Sequence, residues 1–234
     1  MASMSTLICI PTYNEAGNVE RLTDAVLGVD DDLHLLIIDD NSPDGTGAIA
    51  DRIASGNPRV FALHRAQKQG LGNAYIDGFR WAFERDYERI VEMDCDFSHR
   101  PCDLPELLEQ LDNYDVVIGS RYVAGGATER WGLLRRAVSR AGGFYARLLL
   151  GCDIRDLTAG FVGWRREVLE AIDLDAVDGS GYVFQVELKY RAERRGYRIL
   201  EVPIVFPDRE VGDSKMTPDI ALEALARLWR IRFK

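Results

Sequence analysis

Little in this chain suits a metal cluster, a redox pair or a span across lipid. Its four cysteines (Cys9, Cys95, Cys102 and Cys152) form no Cys-x-x-Cys pair, and its three histidines (His34, His64 and His99) are scattered, so no zinc pattern exists. All four thiols are expected to be reduced and structural, as in a cytosolic protein. Lysine occurs only at positions 68, 189, 215 and 234, so arginine carries most of the positive charge. Arginine suits planar, two-pronged contacts to phosphate. No stretch approaches the roughly 18 apolar residues of a membrane span. Met1-Ala2-Ser3 runs almost directly into an apolar strand, and no signal peptide is expected there. A role at a membrane would therefore be played on its surface or through a partner's anchor. The formal net charge of −9 argues against general nucleic-acid binding, which needs a basic face. There is no Gly-x-Gly-x-x-Gly after the first strand and no Gly-Lys-Ser/Thr loop, so the usual dinucleotide and NTPase signals are missing.

What remains is an ordinary globular composition, 47% hydrophobic and 29% charged over 234 residues, long enough for one sizeable domain spanning 1–234. Short apolar runs alternate with helical patterns. Strands are expected at Leu7–Ile10, Leu35–Ile38, Val60–Leu63, Arg89–Met93 and Val116–Ile118. Helices are expected from about Gly17 to Leu27, Gly47 to Ala54, Leu71 to Glu84, and from Pro105 onward. Strands that are apolar throughout are buried on both faces, and the βα alternation predicts an α/β fold around a mostly parallel sheet with helices on both sides. Ligands of such sheets bind beyond the carboxyl ends of the strands.

Polar clusters stand at those ends. Strand one runs into Pro11-Thr12-Tyr13-Asn14-Glu15, strand two into Asp39-Asp40-Asn41-Ser42-Pro43-Asp44-Gly45-Thr46, and strand five into Gly119-Ser120-Arg121. Strand four ends in Asp94-Cys95-Asp96. Two carboxylates spaced i, i+2 past a strand end can aim hard oxygen donors at one point, which suits Mg²⁺ or Mn²⁺. The pair alone is equally compatible with a turn.

Beyond Gly125 the pattern changes. Residues 129–150 are basic, amphipathic and aromatic, with Trp131, Arg135, Arg136, Arg140, Phe144 and Arg147, and Gly142-Gly143 is expected to split them into two helices. A last helix from Pro218 ends in Arg227-Leu228-Trp229-Arg230-Ile231-Arg232-Phe233-Lys234. Two basic, aromatic, amphipathic segments in an acidic chain point to a membrane-facing edge.

The ordered series of motifs resembles the dolichol-phosphate mannose synthase group of family 2 glycosyltransferases. It comprises the clusters above, Gly70-Leu71-Gly72-Asn73-Ala74-Tyr75, Met93-Asp94-Cys95-Asp96-Phe97-Ser98-His99, Asp156-Leu157-Thr158-Ala159-Gly160-Phe161, Gly181-Tyr182-Val183-Phe184-Gln185, and Val202-Pro203-Ile204 through Arg209 to Gly212, Ser214 and Lys215. The resemblance spans residue 6 to residue 216 and implies the GT-A, Rossmann-like fold. It also implies an inverting, metal-dependent hexosyl transfer from GDP-mannose to a dolichyl or polyprenyl phosphate, with Mg²⁺ or Mn²⁺ as cofactor. UDP-glucose is the next donor.

Carried over residue by residue, it implies donor contacts at Pro11, Tyr13, Glu15, Asp39, Asp40, Asp94, Cys95, Arg209 and Lys215. Asp94, Asp96 and Ser98 would form the metal site, Ser98 standing where some relatives have glutamine. Arg121, Arg135 and Ser139 would meet the acceptor phosphate, and Asp94, Asp96 and Arg121 would carry the chemistry. Arg136 and Arg140 read as solvated surface charges. The resemblance further implies a peripheral position on the cytoplasmic face of a membrane and a small membrane anchoring subunit as a partner. The chain departs from the group in two ways: no transmembrane helices follow the catalytic segment before Lys234, and the Gln-x-x-Arg-Trp motif of processive polysaccharide synthases is absent. The competing readings are transfer to a sugar hydroxyl, which needs a general base, and a non-catalytic sugar-nucleotide-binding subunit. A nucleotidyltransferase would need an early glycine-rich phosphate loop.

Overall fold

Seven strands form the central sheet in a computed structural model of the chain, which describes residues 5–177, 181–207 and 227–233. β1 (Thr6–Thr12), β2 (Leu33–Asp39), β3 (Val60–His64), β4 (Arg89–Glu92) and β5 (Val116–Ser120) occupy the predicted positions, each extended by one to three residues or, for β4, one shorter. The helices between them are α1 (Val19–Leu27), α2 (Thr46–Gly56), α3 (Leu71–Phe83) and α4 (Leu104–Gln110). After β5 come a short β6 (Ala127–Thr128), α5 (Leu133–Leu150), β7 (Val162–Arg165), α6 (Arg166–Ala171), α7 (Gly181–Arg194), β8 (Ile199–Pro203) and β9 (Val205–Phe206). The strand order is β3-β2-β1-β4-β7-β5-β8, and β6 and β9 form a separate parallel pair.

The period of two along each strand sorts side chains onto opposite faces. Ile8, Ile10, Leu35 and Ile37 pack with α1 and α4 through Leu22, Val26, Leu104 and Leu107. Their neighbours Leu7, Cys9, Leu36 and Ile38 pack with α3 and α7 on the other side, through Tyr75, Phe79 and Phe184. Both faces are thus covered, as continuous apolar strands require.

β7 is the exception to the parallel sheet. It runs antiparallel to both neighbours, with Val162 opposite Glu92 of β4 and Ile118 of β5. A reversed strand brings its amino end to the rim where its neighbours have their carboxyl ends. The segment Asp156–Phe161 therefore arrives beside Asp94 and Arg121, although it precedes a strand rather than following one.

One expectation is corrected. Residues 133–150 form one continuous helix, so Gly142-Gly143 does not break it. Two interior glycines cost about 1 kcal/mol each, too little to interrupt a ladder anchored by buried Ala146 and Leu150. Gly143 is itself buried, facing the Arg155 carbonyl of the returning chain. The helix stops at Gly151, whose φ of 67° is the left-handed conformation glycine adopts at helix ends. The terminal helix is seen over 227–233 only; its expected start at Pro218 lies outside the described residues, as do Arg209, Gly212, Ser214 and Lys215.

Candidate active site

The loops after β1 and β2 are knitted together by side-chain acceptors. The Asn14, Glu15 and Ala16 amides donate to Ser42 Oγ (3.1 Å), Thr46 Oγ1 (2.9 Å) and Asp44 Oδ2 (3.1 Å). Asn14 and Asn41 sit at φ 62° and 56°, a region asparagine tolerates better than most residues. Tyr13 is half-buried, with Lys68 Nζ 3.6 Å from its ring centroid, and Glu15 accepts from Asn18 Nδ2 at 2.8 Å. Pro11 is part of β1, opposite Ile38.

The two aspartates after β2 are less open than the sequence suggested. Asp39 is buried and accepts from Thr12 Oγ1, Ser42 N and Ser42 Oγ. Asp40 is buried against Arg65, which also binds Asp77 and Gln69. Burial pushes the Asp40 carboxyl above its usual range, with Arg65 pulling the other way. Both groups shape the rim from within. Cys95 likewise turns its side chain into the core, where burial raises its thiol, so it offers no side-chain contact to a ligand.

Past β4 the chain turns sharply. Phe97 takes φ 59°, a costly conformation for a bulky residue and one concentrated at functional loops. The turn sets Asp96 to accept from both the amide and the hydroxyl of Ser98. Ser98 is buried, and its hydroxyl donates to Asp96, which leaves the oxygen's lone pairs on the side of the two carboxylates unassigned to any protein donor. Asp94 is half-buried, and its amide donates to His99 Nδ1 at 3.0 Å, which fixes the neutral ring with its proton on Nε2. Gly160 faces this carboxylate; a Cβ there would lie 3.8 Å and 3.9 Å from its oxygens.

Among the described residues no cluster of three or more His, Cys, Asp or Glu side chains could hold a metal. Two carboxylates with the Ser98 hydroxyl beside them fit Mg²⁺ or Mn²⁺, which commonly take one or two carboxylates and complete their shell with phosphate oxygens and water. The donor set does not fit a protein-caged zinc.

Arg121, beyond β5, is held by Asp156, and Arg121 Nη2 also reaches Thr158 Oγ1 at 2.9 Å. Burial alone would raise the Asp156 carboxyl, but the Arg121 charge and hydrogen bonds outweigh it and hold it below the usual range. Arg121 and Arg135 share one indole: their guanidinium carbons lie 5.7 Å and 4.0 Å from the Trp131 ring centroid. Ser139 joins through its hydroxyl, 2.6 Å from Tyr122 Oη. The three expected acceptor-phosphate residues are thus gathered into one patch.

Phe206 connects the two halves. Its ring is 5.5 Å from His99 and 5.7 Å from Trp131, and Arg121 lies 5.1 Å from its centroid. His99, Trp131 and Phe206 thus join the carboxylate turn to the arginine patch, a role their isolated positions in the sequence did not signal.

Two buried groups lie beneath. Lys189 Nζ donates to the carbonyls of Leu157 and Ala159 at 3.1 Å and 2.6 Å, holding the segment that carries Asp156 and Gly160. Glu92 accepts from Trp164 Nε1 and Gln185 Nε2. Burial raises Glu92 and lowers Lys189, each moderated by the other's charge.

A cavity of about 420 Å³ lies elsewhere, between the end of β3 and α3, with Arg65, Asp77 and Trp81 in its wall. It contains neither Asp94 nor Asp96, so the chemistry is assigned to the rim on geometry.

Comparison with known proteins identifies the family. Residues 7–173 match the sequence profile described as glycosyl transferase family 2. Over 231 residues the chain is 48% identical to a polyprenol monophosphomannose synthase of Mycolicibacterium smegmatis, covering 97% of this chain and 87% of that one. It is 49% identical to an undecaprenyl-phosphate mannosyltransferase of Micrococcus luteus, with 97% and 93% coverage. Among solved structures, glucosyl-3-phosphoglycerate synthase from Mycobacterium tuberculosis superposes with a TM-score of 0.70 at 20% identity, over 99% of this chain and 81% of that one, which shows a shared fold. With the family matched over most of the sheet and both mannosyltransferase relatives aligned almost end to end, the chain belongs to glycosyl transferase family 2.

Proposed function

We propose that this chain transfers a mannosyl group from GDP-mannose to a polyprenyl phosphate, inverting the anomeric centre in one displacement. The observation that carries the reading is the continuity of the site: a two-carboxylate turn at Asp94 and Asp96, bridged by His99 and Phe206 to an arginine patch at Arg121 and Arg135. Such a site accommodates two phosphate-bearing substrates side by side. The names of the two mannosyltransferase relatives support the lipid phosphate as acceptor.

Asp94 and Asp96 would hold Mg²⁺ or Mn²⁺, which supplies neutralisation of the departing nucleoside diphosphate. Pro11, Tyr13 and Glu15 line the nucleoside side, and Arg209 and Lys215 complete the diphosphate contacts. The acceptor phosphate has a second pKa of about 6 and arrives already anionic, so no side-chain base has to remove a proton. A sugar hydroxyl would need one. The protein's work is then orientation and charge: Asp156 fixes Arg121, Trp131 supports Arg135, and both guanidiniums face an anionic nucleophile that the diphosphate would otherwise repel.

The outer face of α5 explains how a lipid is reached. Leu133, Leu134, Val138, Phe144 and Leu148 are exposed, from 57% at Val138 to 84% at Leu133. Trp229 and Phe233 stack on each other, and Trp229 Nε1 donates to Tyr145 of α5, so the terminal turns extend the same apolar face. Among the described residues no helix is long and apolar enough to cross a membrane. This face lies in the headgroup layer, on the cytoplasmic side where sugar nucleotides are available, and an anchoring subunit is the alternative occupant of the same stripe.

The test is direct. The purified protein is incubated with Mg²⁺ or Mn²⁺, a polyprenyl phosphate and a panel of labelled sugar nucleotides, and the products are extracted into organic solvent. Mannose label in the organic phase is expected. Glucose label from UDP-glucose would reassign the donor, and donor binding without turnover would mark a non-catalytic subunit.

A further inference from the structure

Three arginines outside the acceptor patch converge without a carboxylate partner. Arg140 and Arg147 stand two turns apart on one face of α5, and Arg155 approaches from the chain that follows it. With Arg121, Tyr122 and Phe144 they line a pocket of about 290 Å³ whose wall contains no acidic side chain. Among the described residues none of these three guanidiniums forms an ion pair, and Arg147 Nε is buried without a hydrogen-bond partner. In a chain of net charge −9, three unneutralised cations around one cavity mark a place for an anion.

The pocket borders the acceptor patch, sharing Arg121 and Tyr122 with it, but turns away from Arg135 and Ser139. At 100° per residue, Arg140 and Arg147 sit on a different side of α5 from Arg135 and Ser139, and neither of the latter lines the pocket. The anion's remaining chemistry is indicated by Phe144, which both lines the pocket and belongs to the exposed apolar stripe beside Val138 and Leu148. A ligand seated there presents its charge to the arginines and its apolar part to the stripe. A zwitterionic headgroup brings its own cation against four guanidiniums, whereas a headgroup with net negative charge does not.

We propose that this pocket binds the phosphate of an anionic phospholipid through Arg140, Arg147 and Arg155, seating the chain on the bilayer beside its acceptor patch. The proposal rests on the reading of α5 as a lipid-facing helix given above. Arg140 and Arg155 are exposed, so their replacement leaves the fold intact.

The full chain is tested for binding to vesicles of phosphatidylcholine alone and of phosphatidylcholine with phosphatidylglycerol. Wild type is expected to prefer the anionic vesicles. Arg140→Gln/Arg155→Gln is expected to weaken that binding about 25-fold, about fivefold per arginine near a charged surface. Arg59→Gln/Arg85→Gln removes the same charge outside the pocket and is expected to change binding little. Inorganic phosphate added at constant ionic strength is expected to compete with vesicles less well than soluble short-chain phosphatidylglycerol. KM for a detergent-solubilised polyprenyl phosphate should be the same in the pocket variant as in wild type. Equal loss in both double variants, equal wild-type binding to the two vesicle types, full competition by inorganic phosphate alone, or a raised acceptor KM would each overturn the assignment. Absence of mannosyl transfer by wild type in detergent would count against the catalytic reading and leave the vesicle comparison to be judged separately.

Discussion

Asp156 grips Arg121 at three points: the backbone amide at 3.0 Å, Nε at 2.8 Å and Nη2 at 2.6 Å. Both side chains are buried, so this is a desolvated ion pair that also ties the end of β5 to the segment before β7. The Asp156 amide in turn donates to Glu201 of β8 at 2.9 Å, which adds a third strand to the same tie. Arg121 is thereby fixed in place before any acceptor arrives.

Removing one partner of such a pair strands the other charge. Asp156→Ala is expected to lower stability by about 3–5 kcal/mol, measured by denaturant unfolding, and to raise KM for the acceptor more than for the donor. The pH dependence follows from the same contact. Asp156 has a carboxyl pKa lowered in the folded state, so its contribution is present above the unfolded value of about 3.9 and is lost as pH falls through the lower folded value. Wild type should lose stability below about pH 4 more steeply than the Asp156→Ala protein in the same window.

Lys189 bears on the same segment from below. Lys189→Met removes the donor to Leu157 and Ala159 and leaves Glu92 without its compensating charge. Thermal unfolding should show a lowered Tm, and Glu92→Gln/Lys189→Met should recover part of the loss. In the double variant the carbonyls of residues 157 and 159 remain unheld, so kcat should stay depressed while stability returns. Full recovery of both would make Lys189 a fold residue only.

Arg135, proposed to meet the acceptor phosphate, stands over the Trp131 ring. Arg135→Glu is expected to raise the KM for a long-chain acceptor by at least about tenfold, the loss of one charge-assisted phosphate contact of about 1.5–3 kcal/mol. Donor affinity should be nearly unchanged. Steady-state kinetics varying each substrate separately checks this, and unaltered acceptor kinetics would remove Arg135 from the site.

The first five strands and the rim were legible because each apolar run is continuous and each ends in polar residues. Ile8 through Ile10 and Leu35 through Ile38 leave no other placement than a doubly covered strand. β7 was not legible: Val162–Arg165 is four residues long, contains Gly163 and Trp164, and shows no alternation from which a direction could be read. Its reversal is what brings Asp156 to Arg121. Gly142-Gly143 misled because local propensity outweighs packing in a sequence reading, whereas the buried side of α5 decides in the fold. Ser98 and Cys95 share the carboxylate turn, yet which side chains of a tight turn point inward depends on the left-handed residue at Phe97, which no spacing rule reveals. Arg140 read as a solvated charge and is exposed in the structure, but helical periodicity gives only its side of the helix and not the loop that brings Arg155 to the same pocket.

Cation binding at the Asp94 and Asp96 turn is the claim on which the mechanism depends, and it is measurable without turnover. Mn²⁺ titrated into the protein with GDP present, followed by loss of the free-ion electron paramagnetic resonance signal, reports occupancy directly. Wild type is predicted to bind one Mn²⁺, and Asp94→Asn and Asp96→Asn are each predicted to weaken it at least about tenfold with the circular dichroism spectrum unchanged, one lost charged ligand contact being worth about 1.5–3 kcal/mol. Undiminished Mn²⁺ binding by both variants would place the cation elsewhere and contradict the account.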